Sequence, residues 1–158
     1  MTERDRFSAS TEIAAPAETV YTMISDLTRM GEWSPENTGG TWAGKAEPGT
    51  VGAKFLGRNK NGNKKWSAAV VVTDASAPKR FAFTTVVGPI KAAEWRYEIT
   101  PTETGCTVTE SWVDMRPAPL AAPKVYKALT GIADRSATAK AGIETTLANL
   151  KQAAEKGA

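Results

Sequence analysis

A carboxylate set among aromatic residues is the clearest chemical feature of this sequence. Residues 92–100 and 107–115 each alternate apolar and polar side chains, the pattern of half-buried strands. Pairing Ile99 with Val108 sets Tyr97 opposite Glu110 and Trp95 opposite Trp112, with all six on one face. That face holds the large apolar residues and is read as the inner one, leaving Glu94, Arg96 and Glu98 outside. A carboxyl group desolvated by two indoles and a phenol has a raised pKa, and can give or take a proton at a bound carbonyl compound. A second role is open to the same residues: Glu110 accepts a hydrogen bond from Tyr97 or a water and fixes the core. Catalysis by histidine is excluded, because the chain has no histidine and a single cysteine. With them go an intramolecular disulfide, zinc sites built on Cys and His, and the Ser-His-Asp and Cys-His nucleophiles. No metal site and no cofactor are expected.

Other polar candidates are weaker. Asp114 shares the parity of Glu110 near the strand end and is expected in solvent or at a rim, since ionised Asp is seldom buried unpaired. Asn59 shares the inward parity of Phe55, so it is either a pocket hydrogen-bonding group or a turn residue. Trp33, Phe55, Trp66, Phe81, Phe83, Trp95, Tyr97 and Trp112 fit a core and an apolar ligand pocket equally well. Cys106 has no nearby group to activate its thiol and reads as structural. Gly39, Gly40 and Gly44 lack the strand-then-helix setting of a phosphate loop.

These residues need a scaffold, and its order is legible. A strand is expected over 7–13, a short helix over about 16–25, and a second short helix capped by Asp26 that ends before Pro35. Strands follow over 38–44, 53–59, 64–73, 80–86, 92–100 and 107–115. Asn61 and Gly62 suggest a type I′ turn, which would pair Gly57 with Trp66 and Phe55 with Ala68. After a proline-rich stretch, Leu129, Ile132, Ser136, Ala139, Ile143, Leu147 and Leu150 recur at helical spacing, and a helix is expected from about 132 to 154. Its small residues Ser136, Ala139 and Gly142 leave either close helix–sheet packing or a cavity.

At 158 residues, 41% hydrophobic and 23% charged, the chain suits one domain over 1–158. No stretch approaches the roughly 20 apolar residues of a membrane span. The run from Met1 to Arg6 is not followed by an apolar signal core, so a cytoplasmic protein is expected. The net charge is +3, unevenly spread: residues 1–40 hold seven acids and three bases, residues 41–66 one acid and six bases. Lys54, Arg58, Lys60, Lys64 and Lys65 lack the interleaved aromatics of a nucleic-acid platform, so no nucleic-acid partner is expected. A solvated hairpin, an anionic ligand or a membrane surface are the readings open to that cluster.

Several segments resemble a known family. Residues 26–36, with Asp26, Arg29, Gly31, Glu32, Trp33 and Pro35, closely resemble a segment of actinobacterial proteins in the START-like (SRPBCC) helix-grip superfamily, the polyketide cyclase/dehydrase and lipid-transport proteins. So do residues 52–59 with Trp66, strand 79–83, residues 107–112, and 142–151. The resemblance implies an α+β helix-grip fold: a curved antiparallel sheet of about seven strands around a long C-terminal helix, with an internal hydrophobic cavity. It also implies a hydrophobic, lipid-like or polyketide-like ligand and makes Trp33 a wall or mouth residue. The expected ligand site comprises the eight aromatics above with Asn59, Glu110, Ser136, Ala139 and Ile143. The alternative is an aromatase/cyclase or dehydratase using Glu110 and Tyr97 as acid/base groups. The lack of an evident inward Arg argues against such a polar constellation, and a monomer or weak homodimer is expected.

Overall fold

Alternating apolar residues build seven strands in the computed structural model, which describes residues 5–119 and 121–157. Met1 to Arg4, part of the run read above for a signal, lie outside the described residues. The order is β1 (Asp5–Ile13), α1 (Ala17–Ser25), a 3₁₀ helix (Leu27–Glu32), β2 (Asn37–Ala43), β3 (Lys54–Asn61), β4 (Lys64–Ser76), β5 (Arg80–Val87), β6 (Ile90–Pro101), β7 (Cys106–Asp114), α2 (Pro123–Thr130) and α3 (Arg135–Glu155). Asp26 caps the 3₁₀ helix as expected, its Oδ1 accepting from the Thr28 N–H at 3.1 Å. No helix among the described residues is long and apolar enough to cross a membrane.

The strands form one antiparallel sheet in the order β1-β7-β6-β5-β4-β3-β2. Register shifts in β2, β4 and β6 are bulges, which bend strands and let the sheet curve. On β7, Cys106, Val108, Glu110, Trp112 and Asp114 are all buried on the concave face. Helix α3 packs into that concavity against β1 and β7. Its Ile143, Leu147 and Leu150 join Val20 and Ile24 of α1 and the sheet aromatics in one core. This is the α+β helix-grip arrangement.

Three expectations need correction. The β3–β4 turn places Asn61 opposite Lys64, so Gly57 faces Ala68 and Trp66 faces Asn59. A type I′ turn on Asn61 and Gly62 would need a positive φ at both; here Gly62 alone supplies it, at 62°, and takes the first central position as in a type II′ turn. Side chains alternate with period two, so this two-residue difference in pairing leaves every side chain on its expected face. The helical periodicity that begins at Leu129 spans two helices. Gly131, with φ 74°, ends α2 by donating its N–H to the Lys127 carbonyl at 2.7 Å, and Asp134 starts α3 by accepting from the Ala137 N–H at 3.1 Å. Asp114, expected in solvent or at a rim, is 3% exposed, because Arg116 grips it through Nε at 3.0 Å and Nη2 at 2.8 Å.

The β6–β7 turn fits tightly against the end of β1. A Cβ at Gly105 would strike the Ile13 carbonyl oxygen and lie 2.8 Å from the Ala15 nitrogen, both backbone atoms. Gly105→Ala is therefore expected to lower stability by roughly 2 kcal/mol, read as a lower urea midpoint with an unchanged slope.

Candidate functional site

A cavity of about 140 Å³ lies between the concave face and α3. Its walls come from β3 to β7, from α3, from Tyr126 of α2, and from the segment linking the 3₁₀ helix to β2. Small residues make the space. Gly57 and Ala68 face each other across β3 and β4, and α3 presents Ala139 and Gly142. Phe55, Phe83, Trp66 and Trp95 supply apolar wall.

Glu110 and Tyr97 line this cavity as direct cross-strand partners. Burial pushes the Glu110 carboxyl from the ordinary 4.5 up to about 8, and a hydrogen bond from the Tyr97 hydroxyl only partly opposes the rise. The phenol is itself held well above its usual pKa, first by burial and then by Glu110. At neutral pH both groups are protonated. Glu110 Oε1 is buried without a hydrogen-bond partner, and so is Trp112 Nε1 two residues along the strand. Buried polar atoms are rarely left unpaired in native proteins, and Glu110 Oε1, beside the cavity, is open to one further hydrogen bond.

A polar group stands elsewhere on the cavity wall. Arg135, in the first turn of α3, bonds both carboxylate oxygens of Glu36 through Nη1, at 3.2 and 3.0 Å. Its guanidinium also lies 5.8 Å from the centre of the Trp95 ring. Asn37 Nδ2 donates to Asn59 Oδ1 at 3.5 Å, and Asn37 Oδ1 accepts from the Gly39 N–H at 2.9 Å. Arg135, Glu36, Asn37 and Asn59 all line the cavity.

Of the expected site residues, Phe55, Asn59, Trp66, Phe83, Trp95, Tyr97, Glu110 and Ala139 come together around the cavity. Trp33, Phe81, Trp112, Ser136 and Ile143 do not line it. Trp33 is core, 2% exposed, with its carbonyl accepting from Asn149 of α3. Phe81 meets Tyr21 edge-on, and Trp112 packs near Trp95. Ser136 turns to the Asp5 carboxylate, whose pKa its hydrogen bond lowers. Ile143 is buried in the core that α3 shares with the sheet. The expectation of no inward Arg was wrong. Arg135, Ala139, Gly142 and Thr146 form one stripe at spacings of four, three and four, and extending the small-residue periodicity back by one turn reaches Arg135. Glu36 and Asn37, beside and at the start of β2, carry no comparable signal.

The sequence over residues 4–155 matches the family model described as polyketide cyclase / dehydrase and lipid transport. None of the curated proteins matches. Among solved structures, a polyketide-cyclase-like protein of Corynebacterium glutamicum is 31% identical, with 94% of this chain and 90% of that one covered and a TM-score of 0.63. A Mesorhizobium loti protein is 17% identical over 98% of this chain and 99% of its own, with a TM-score of 0.67. The di-domain ARO/CYC of the steffimycin biosynthetic pathway shares the fold at 14% identity and a TM-score of 0.71, with 96% of this chain covering 50% of that one. With a family model matched over almost its entire length and a relative above 30% identity, the chain belongs to the polyketide cyclase/dehydrase and lipid transport family.

Proposed function

We propose that the protein binds a neutral, hydrophobic, carbonyl-bearing small molecule, polyketide-like or lipid-like, between the sheet and α3. The observation that carries this reading is the unpartnered Oε1 of a protonated, buried Glu110 on the cavity wall. A protonated carboxyl that accepts from Tyr97 through one oxygen has its other oxygen free to donate, and a ketone oxygen completes it. An anionic head group there would meet a wall already short of solvent, so a neutral ligand is favoured over a carboxylate. Size adds a constraint: a cavity of about 150 Å³ takes one benzene ring, so one ring or a chain tip enters this pocket. The remainder of a longer ligand would extend past Arg135 and Asn59. Titration of the tryptophan fluorescence of Trp66 and Trp95 with an aromatic methyl ketone and its carboxylate analogue tests this. Saturation by the ketone in preference to the carboxylate is expected; equal response or none would sink the reading.

A second reading, cyclisation or dehydration of a polyketide, is favoured by one feature. A carboxyl that titrates near pH 8 exchanges a proton readily at physiological pH, and Tyr97 fixes its orientation. Glu110 would then hold and deliver the proton at a substrate carbonyl. Product formation from a poly-β-keto substrate that disappears in Glu110→Gln supports the enzyme, and saturable binding without conversion supports the carrier.

A further inference from the structure

Helix α2 is poorly matched to a purely structural role. Of its described residues 124–130 only Thr130 is buried, while Val125 and Leu129, one turn apart on the same stripe, are 55% and 65% exposed. Its charged residues are both cations, Lys124 and Lys127. The tip of the β3–β4 hairpin abuts its C-terminal end. Asn61 Nδ2 donates to the Thr130 carbonyl at 3.1 Å, and the Lys64 side chain lies against Gly131. Lys64 thus joins its charge to those of α2. Lys60 and Lys65, directly opposite each other, have the other parity of their strands and point to the convex face, away from α2. The acid nearest in sequence, Asp134, is engaged as the cap of α3.

We propose that α2 and the β3–β4 tip form a docking surface for an anionic membrane leaflet, with Val125 and Leu129 entering the interface and Lys64, Lys124 and Lys127 meeting lipid head groups. Charge complementarity selects this occupant: aliphatic tips ringed by cations match an acidic lipid surface. Tyr126 of the same helix lines the ligand cavity, so docking here would bring the cavity to the bilayer. The surface itself does not depend on the identity of the cavity's ligand, and it is tested without one.

The test is co-sedimentation of the full-length protein with vesicles of phosphatidylcholine alone and of phosphatidylcholine with one quarter phosphatidylglycerol. Binding to the acidic vesicles should be at least about tenfold tighter and weaken at high salt. Lys64→Glu with Lys124→Glu should lower it by about tenfold or more, and Val125→Ser with Leu129→Ser should lower it while leaving the circular dichroism melt unchanged. All four residues are exposed, so these variants fold. Equal binding to both vesicles, or retention in both double variants, overturns the proposal. So does loss of binding in the charge variant with Val125→Ser and Leu129→Ser without effect, since charge alone then accounts for the binding and no aliphatic tip enters a bilayer.

Discussion

Glu110→Gln is expected to flatten the dependence of stability on pH between about 5 and 8 and to leave the variant the more stable form at pH 9. The sign follows from the proton inventory. Burial raises the carboxyl from 4.5 to about 8, so in this window the folded protein holds a proton that the unfolded chain has released. Stability then falls with rising pH: the contribution is complete below pH 4.5 and is lost as pH passes through 8. The full span corresponds to on the order of 5 kcal/mol at most, since each pKa unit is worth about 1.4 kcal/mol. Glutamine is neutral at every pH, keeps the shape, and can still accept from Tyr97, so it removes the titration and little else. Denaturant midpoints of both forms from pH 5 to 9 check this. Other groups titrate too, with Cys106 raised and Asp74 and Glu155 lowered, but they are common to both proteins and cancel in the difference. Tyr97 is coupled to Glu110, but burial is the first cause of its raised pKa and keeps the phenol protonated in both forms over this range. Parallel curves would mean that Glu110 is ionised and solvated in the folded protein.

The second large effect concerns ligand capture. Gly142 lines the cavity from α3, and a Cβ built on it meets nothing within 4 Å. Gly142→Ala should therefore gain about 1 kcal/mol from helix propensity alone, with the pocket still usable. Gly142→Phe should fill the space that a ligand ring needs and cost at least about 100-fold in affinity, because displaced apolar contact of that size is worth about 3 kcal/mol. Thermal melts and fluorescence titrations on the two variants separate blocking from unfolding. A phenylalanine variant that is folded and binds as tightly as the parent would place the ligand elsewhere.

Much of this was legible because alternation in strands is a rigid code. The parity of 92–100 and 107–115 placed Glu110 beside Tyr97, and the structure pairs them as that parity requires. Parity also survived the misjudged turn at Asn61 and Gly62, since a slip of two leaves faces unchanged. Rotation of α3 was harder. Ser136 and Ile143 lie one position from Arg135 and Gly142, a turn of about 100°, which carries them from the cavity to Asp5 and the core. Helical spacing alone cannot separate the stripe that packs from the stripe that leaves space, because both hold small residues. Asp114 misled for another reason: its partner Arg116 lies two residues on, past the strand end, where a period-two pattern carries no information.

Ligand binding in the cavity is tested most directly by native mass spectrometry of the purified protein, followed by solvent extraction and identification of whatever is released. A one-to-one adduct is expected with an uncharged, carbonyl-bearing hydrophobic molecule, acquired in the cell or on incubation with a panel of aromatic and acyl ketones, and absent from Gly142→Phe. A bare protein mass under all of those conditions, or an adduct that persists in Gly142→Phe, would contradict binding in the cavity.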